Sequence, residues 1–580
     1  MKRNYLGLAC TYHDPAVAVV DSAGRVVFAE ATERHLQLKQ GVNCAPDQMH
    51  RIAELVQEYC DPDVELVVAT SWAGPMLPRP VAPLARLLGD VKSSFGRTVR
   101  IAGLFDEAQS HAVAQAGLSL AVRHLASGGF GGRVRRLEQR ACPHHLAHAY
   151  AGCLGAPFAQ AVCAVVDGLG EGSSTAFYRY EGGRVTQLAE RAPSSMSLGL
   201  FFDLACTLCG FDPWKGEHWK VMGLAAYGTP DPEAYALARR LIRVEGLALK
   251  PGASPLALLE TWNRLWALRL PLGADPLLAK DLAAALQQAF ADWMTELLVN
   301  LHALGHSDRL VLGGGCALNS SFNGEILDRT PFRELYVGSA PADDGNAVGA
   351  ALWAFCADHP GRDTAVTLAS PYLGSTAVPE ALARLERHGG LSSITRLSPA
   401  EVPERAAQLL AEGKILGWMQ GRAEWGPRAL GNRSILADPR RDDIKDEINA
   451  RVKFREAFRP FAPSILDEHG PTYFEHYQPT PYMERTLKFR PEVMAQVPGV
   501  VHVNGTGRLQ TVRREWNPRY HALIEAFYRR TGVPIVLNTS FNVMGRPIVH
   551  TVEDALGAFF TTGIDALLVE DLLVQKQAGA

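Results

Sequence analysis

Chemistry is most concentrated in Cys142-Pro143-His144-His145-Leu146-Ala147-His148-Ala149-Tyr150. Ala and Leu between the histidines favour helix, and Pro143 suits a first helical turn. On a helix His144 and His148, four residues apart, project from one face, whereas His145 points elsewhere. The apolar run Val162-Cys163-Ala164-Val165-Val166 reads as a buried strand that delivers Asp167 at its carboxyl end. Two imidazoles and a carboxylate can hold a divalent metal, and His-x-x-x-His on a helix is a recurring ligand spacing. The same spacing fits a helix whose histidines are simply satisfied in a polar cleft, and at this level both readings stand. Asp343 or Asp344 could add a fourth ligand or cap the helix that follows.

Three further stretches carry chemistry. Tyr12-His13-Asp14 and Asp167-Gly168-Leu169-Gly170 place acidic and small residues at hairpins, where phosphates can approach backbone N–H groups. Arg309-Leu310-Val311-Leu312 enters Gly313-Gly314-Gly315-Cys316-Ala317-Leu318-Asn319 and then a helix, an order suited to anions or nucleotides. Beyond Lys414, Arg428, Arg433, Lys453, Arg455, Arg459 and Arg508 accumulate, with Asn538, Thr539 and Ser540 as neutral donors. Guanidinium forks suit bidentate capture of phosphoryl oxygens. A cation cluster can also be a solvated face. Here the charges sit among Gly, Pro, Trp and Phe, which argues partial burial, and a buried arginine needs an anionic partner.

These residues must be positioned by 580 residues of ordinary globular composition, 47% hydrophobic and 21% charged, enough for two or more domains. The net charge of −3, with acids alternating among the arginines, gives no pull toward nucleic acid or anionic membrane. No apolar run is long enough to span a bilayer, and Met1-Lys2-Arg3 leads into too short an apolar segment for a signal peptide, so a cytoplasmic enzyme is the expectation. All ten cysteines lie between Cys10 and Cys356, scattered as buried free thiols rather than a disulfide framework. Oligomeric state is not legible.

The elements repeat. Strands are predicted at Tyr5–Tyr12, Ala16–Val20 and Arg25–Ala31, a helix over Pro46–Tyr59 and a strand at Val64–Thr70. Strands at Ala161–Val166, Ser174–Tyr180 and Val185–Arg191 repeat that opening after the histidines. A duplicated β-β-β-α-β-α unit resembles the actin, sugar-kinase and Hsp70 architecture (ASKHA), whose halves clamp ATP.

Taken together the motifs resemble, in order and over nearly the whole chain, the O-carbamoyltransferase family of antibiotic and nodulation-factor biosynthesis. They are Tyr12–Ala16, His144–Ala149, Val166–Gly168, Gly216-Glu217-His218-Trp219-Lys220-Val221-Met222-Gly223-Leu224-Ala225, the Gly313 run, the Asp343 segment, Gly421–Ile435, Lys453–Pro463 and Leu537–Asn542. The resemblance implies an α/β, actin-like, threonylcarbamoyl-transferase-like domain over residues 1–365 and an α+β YrdC-like domain over 366–580. It implies that His144, His148, Asp167 and Asp343 hold a divalent, iron-like ion, and that His13 is the general base. It places Lys39, Gly168, Lys220, Gly314, Gly315 and Asn319 at the nucleotide, and Arg428, Arg433, Lys453, Arg459, Arg508, Asn538 and Ser540 at carbamoyl phosphate. Trp219 departs from the pattern, because the glutamate and lysine of that block are usually one residue closer.

The implied reaction cleaves carbamoyl phosphate to carbamate, adenylates the carbamate with ATP and Mg²⁺, and transfers the carbamoyl group to a hydroxyl of a natural-product acceptor. The acceptor pocket is expected in the idiosyncratic regions Pro75–Arg135 and Pro251–Asp281. A tRNA threonylcarbamoyl-type enzyme and an actin-like ATPase switch are the alternatives. The first lacks a basic bias here, and the second leaves the histidines and the whole second half without a task.

Overall fold

The computed structural model describes residues 2–11, 13–62, 64–73, 134–189, 196–271, 273–360, 370–377, 382–383, 392–456 and 458–576. Tyr12, most of Pro75–Arg135 and the 365/366 boundary lie outside them. The chain divides into two compact units: Met1–Glu33, Gln40–Leu318 and Glu325–Leu368 form the first, and Arg34–Lys39, Asn319–Gly324 and Ala369–Ala580 the second.

The first unit holds the predicted duplication. Strands β1 (Arg3–Ala9), β2 (Ala16–Val20), β3 (Val26–Ala31), β4 (Val64–Thr70) and β5 (Val134–Ala141) form a sheet of order β3-β2-β1-β4-β5. Strands β6 (Gln160–Gly170), β7 (Ser173–Glu181) and β8 (Arg184–Gln187) open the second half. A hairpin of β9 (Ile242–Glu245) and β10 (Ala248–Pro251) follows. With β11 (Arg309–Gly313) and β12 (Glu334–Val337), the second sheet has the order β12-β11-β6-β7-β8. In each half the first strand pairs antiparallel with the second and parallel with the fourth, so the two sheets share one plan. The central strands are covered on both faces, which is why β6 reads as an unbroken apolar run with Ala161–Val166 fully buried.

Two helices bring the chemistry to the second sheet. The helix His144–Gly155 begins at His144, with Pro143 as the flanking cap residue rather than inside the first turn. Its partner Asn346–Asp358 crosses it at Gly349, where an added Cβ would lie 1.8 Å from the carbonyl oxygen of Ala147. Only a residue without a side chain permits that approach. It draws the Asp343 turn, which leads into the second helix, against the histidines.

The second unit is built on a nine-stranded mixed sheet. Its strands are β13 (Ser392–Arg396), β14 (Leu416–Met419), β15 (Arg433–Ala437), β16 (Ala462–Leu466), β17 (Arg485–Lys488), β18 (Thr506–Val512), β19 (Ile535–Ser540), β20 (Ala566–Val569) and β21 (Leu572–Lys576). They run in the order β13-β21-β20-β14-β15-β19-β16-β18-β17. One apolar core, including Trp418, Ile435, Ile465, Leu509 and Leu537, fixes which face of each strand turns inward. All ten cysteines are free thiols, buried or half-buried, as their scatter predicted.

Candidate functional site

In the first unit His144, His148, Asp167 and Asp343 converge, with ligand atoms all within 4.8 Å of one another and every side chain buried. Asp167 Oδ2 lies 3.0 Å from His144 Nε2 and 3.5 Å from His148 Nε2, and Asp343 Oδ1 lies 3.2 Å from His148 Nε2. Asp167 does not stand at a strand end. Strand β6 continues to Gly170, and its ladder with β7 breaks between Val166 and Gly170, so Asp167 sits in an irregularity that re-aims its carboxylate. Its other oxygen accepts the Gly315 N–H at 2.9 Å. Gly314 makes this possible: its φ is +87°, and a Cβ there would meet the Val166 carbonyl oxygen at 2.3 Å. The His148 Nδ1 faces the Pro341 carbonyl oxygen at 3.1 Å, so Nδ1 carries the proton and Nε2 is left toward the acids.

Electrostatically the four groups are one unit. Burial opposes charge throughout, yet the two imidazoles hold Asp167 well below the ordinary carboxylate range. Burial likewise pulls His148 down, and Asp167 and Asp343 outweigh it, raising the imidazole to about 10. Asp344 turns away: burial, then the charges of Asp14, Glu33 and Asp343, push its carboxyl up to about 8. His145 is fully buried, with Nε2 4.0 Å from Asp167 Oδ2. His13 Nδ1 lies 3.0 Å from Asp14 Oδ2. The ring is about half exposed, and Asp14, then Asp343 and Asp167, carry it up to about 10.

The residues expected at the nucleotide are dispersed in role. Gly168 is open, with nothing near a Cβ built on it, and its carbonyl oxygen accepts the Ser197 hydroxyl at 2.6 Å. Gly314 and Gly315 shape the Asp167 anchor described above. Lys220 is buried, its Nζ 2.7 Å from Glu217 Oε1 and 5.3 Å from the centre of the Phe211 ring. Asn319 caps the helix Ser320–Arg329 by accepting the Phe322 N–H at 3.1 Å, and Lys39 is exposed. Both belong to the second unit.

In the second unit Arg428 and Arg508 are partly buried, and among the described residues neither guanidinium has a hydrogen-bond or ion-pair partner. Burial pushes Arg428 down to about 10. Arg508 is depressed well below its usual range by burial and by the like charges of Arg428 and Arg455. Burial and Arg459 push Arg455 down to about 9 while its Cζ stacks 4.5 Å from the Phe461 ring centre. Arg459 pairs with Glu456 at 3.0 Å.

Other members of the cluster are committed inward. Arg433 is fully buried, with its guanidinium on the carbonyl oxygens of Gln420, Asn432, Ser375 and Gly421 at 2.7–3.1 Å. Lys453 Nζ donates to the Ser540 carbonyl oxygen and, at 2.8 and 3.0 Å, to the Asn542 side-chain and backbone oxygens. Asn538 Nδ2 donates to Ala429 O, Ser464 Oγ and Gln510 Oε1 at 2.9–3.1 Å, which fixes the backbone next to Arg428.

Residues 121–352 match the family pattern described as carbamoyltransferase N-terminus, and residues 407–576 match carbamoyltransferase C-terminus. Nodulation protein NolNO of Sinorhizobium fredii is 37% identical over 483 residues, 81% of this chain and 69% of that protein. The chain belongs to the carbamoyltransferase family. Nodulation protein NolO of Bradyrhizobium diazoefficiens is also 37% identical, over 75% of this carbamoyltransferase and 79% of its own length. Component A of (R)-2-hydroxyglutaryl-CoA dehydratase of Acidaminococcus fermentans aligns with 61% of this chain and 99% of its own at 12% identity and a TM-score of 0.32. The duplicated strand order, not that alignment, carries the fold assignment.

Sequence reasoning missed one organiser of the carbamoyltransferase's cation cluster. The buried carboxylate oxygen Oε1 of Glu424 accepts the N–H groups of Leu430, Asn432 and Arg433 at 2.7–2.9 Å, closing the loop that presents Arg428. Its position six residues before a Leu-Gly-Asn turn carried a signal only in hindsight of that geometry. Asn542, at the end of the Leu537–Asn542 motif, shares Lys453 with Ser540 and accepts the Ser540 hydroxyl at 2.7 Å.

Proposed function

We propose that this carbamoyltransferase takes its carbamoyl group from carbamoyl phosphate, activates it with ATP, and delivers it to the hydroxyl of a small natural-product acceptor. The observation that carries the reading is the pair of partnerless, partly buried guanidiniums, Arg428 and Arg508. Taking a cation out of water without a counter-charge costs several kcal/mol, and a dianionic acyl phosphate repays it. In a YrdC-like second unit these arginines, with Arg455 and Arg459, would stabilise the phosphate as it leaves, while Lys453, Asn538 and Ser540 hold the loops in place. Arg433 serves here through its carbonyl contacts, as a brace for the Gln420–Asn432 loop.

Water attacks the carbamoyl carbon, inorganic phosphate leaves, and the carbamate so formed is the nucleophile of the next step, in the first unit. It attacks the α-phosphorus of ATP and expels pyrophosphate, with room for the nucleotide beside Gly168, where an added Cβ would meet nothing. The acceptor hydroxyl then attacks the carbamoyl carbon, AMP departs, and His13 takes the hydroxyl proton.

The four-residue cluster fits a divalent metal: two imidazole nitrogens and two carboxylate oxygens face one another, and the Pro341 carbonyl fixes the tautomer of His148. A first-row ion such as Fe²⁺ held there would act as a Lewis acid beside the reacting carbonyl. The test is stoichiometric. Full-length protein with ATP and carbamoyl phosphate should release pyrophosphate only when both are present, and Arg428→Ala should abolish it. Modification of added tRNA would instead favour the threonylcarbamoyl-type reading.

A further inference from the structure

The second unit has an abundance of donors for a phosphate, but a carbamoyl group also presents an amino group, which needs an acceptor. Strand β18 supplies the frame for finding one. Residues two apart in a strand share a face, so Thr506, Arg508 and Gln510 point the same way. Gln510 donates to the Leu430 carbonyl oxygen at 2.8 Å and accepts from Asn538. Arg508 carries the partnerless guanidinium. At the other end Thr506 Oγ1 lies 3.2 Å from His502 Nδ1, within a tight turn in which the His502 N–H meets the Thr506 carbonyl oxygen at 2.7 Å.

The protonation of this histidine can be worked out from its neighbours. The Thr506 hydroxyl donates to Asn504 Oδ1 at 2.8 Å, and the Thr506 N–H also points at that oxygen, at 3.4 Å. With its hydrogen spent there, Thr506 Oγ1 must accept from His502 Nδ1–H. The neutral ring therefore keeps its lone pair on Nε2, which is buried and has no partner among the described residues. Burial and the cations Arg508 and Lys445 push the imidazole down to about 3, so it stays neutral at physiological pH.

We infer that His502 Nε2 is the acceptor that recognises the amino group of the carbamoyl donor, with Asn504 and Thr506 setting its tautomer. The inference rests on the reading that Arg428 and Arg508 bind the donor's phosphate. Asn538 Oδ1 is a second buried acceptor without a partner among the described residues, but it lies on the Gln510 side of Arg508.

Acetyl phosphate is the discriminating probe, because a methyl group replaces the amino group at nearly equal size. Affinities of the full chain for inorganic phosphate, acetyl phosphate and carbamoyl phosphate would be compared in wild type, His502→Leu, His502→Gln and Arg508→Ala. Wild type should prefer carbamoyl phosphate over acetyl phosphate. His502→Leu should lose about tenfold for carbamoyl phosphate alone, and His502→Gln, whose amide oxygen can still accept, should recover part of it. Equal weakening toward all three ligands in His502→Leu, or a selectivity left intact there, would overturn the inference, the latter handing recognition to Asn538. The underlying phosphate reading fails separately, if wild type binds inorganic phosphate no better than Arg508→Ala does.

Discussion

Arg428 and Arg508 are cations that the fold has partly desolvated and, among the described residues, left without a counter-charge, and that makes them responsive to a ligand. Inorganic phosphate should therefore raise the unfolding temperature of the wild-type chain. In Arg508→Ala its affinity should fall about 100-fold, near 3 kcal/mol for one partner of a buried charge pair, as titration calorimetry would report. His502 gives a pH signature. Its folded-state value of about 3 lies below the ordinary 6.5, so it contributes stability that is full above pH 6.5 and lost as pH falls toward 3. Denaturant midpoints measured across that window should fall less steeply in His502→Leu than in wild type. His13 works in the opposite sense. Asp14 and the cluster acids raise it to about 10, so as a base it must give up a strongly held proton. Asp14→Asn should shift the acid limb of kcat/KM to lower pH, and an unmoved limb would remove His13 from the proton transfer.

At the scale of elements, the site depends on two backbone devices. The strand irregularity at Asp167 turns its carboxylate toward the histidines, and the contact of Gly349 with Ala147 brings in the Asp343 turn. Gly349→Ala would drive a methyl group into backbone that cannot give way. It should destabilise the first unit by about 3 kcal/mol and weaken divalent-metal binding with it, by thermal denaturation and metal titration. The His-x-x-x-His face was legible because helical spacing is local. The strand end was misplaced by sequence because the continuous apolar run stops at Val166, whereas hydrogen bonding resumes at Gly170, past Asp167 and Gly168, which read as a turn. The roles of Lys453 and Arg433 were illegible for another reason. A sequence shows that a cation is present, not whether backbone carbonyls 10 to 90 residues away already occupy its donors.

For the whole molecule, the duplicated sheet plan was readable because each half repeats the same order of strand, turn and helix. What could not be read is that Arg34–Lys39 and Asn319–Gly324 leave their neighbours in sequence and cluster with the second unit. Such exchanges depend on contacts between residues hundreds apart, for example Arg34 with the Gly426 carbonyl oxygen at 2.9 Å, and no local pattern encodes them. The central claim is that one chain both cleaves the carbamoyl donor and adenylates the product. Its most direct test is incubation of the purified full chain with ATP and isotopically labelled carbamoyl phosphate, without acceptor, followed by separation of the nucleotides. The account predicts labelled carbamoyl adenylate and pyrophosphate that both vanish in Arg428→Ala. ATP hydrolysis indifferent to carbamoyl phosphate would contradict it.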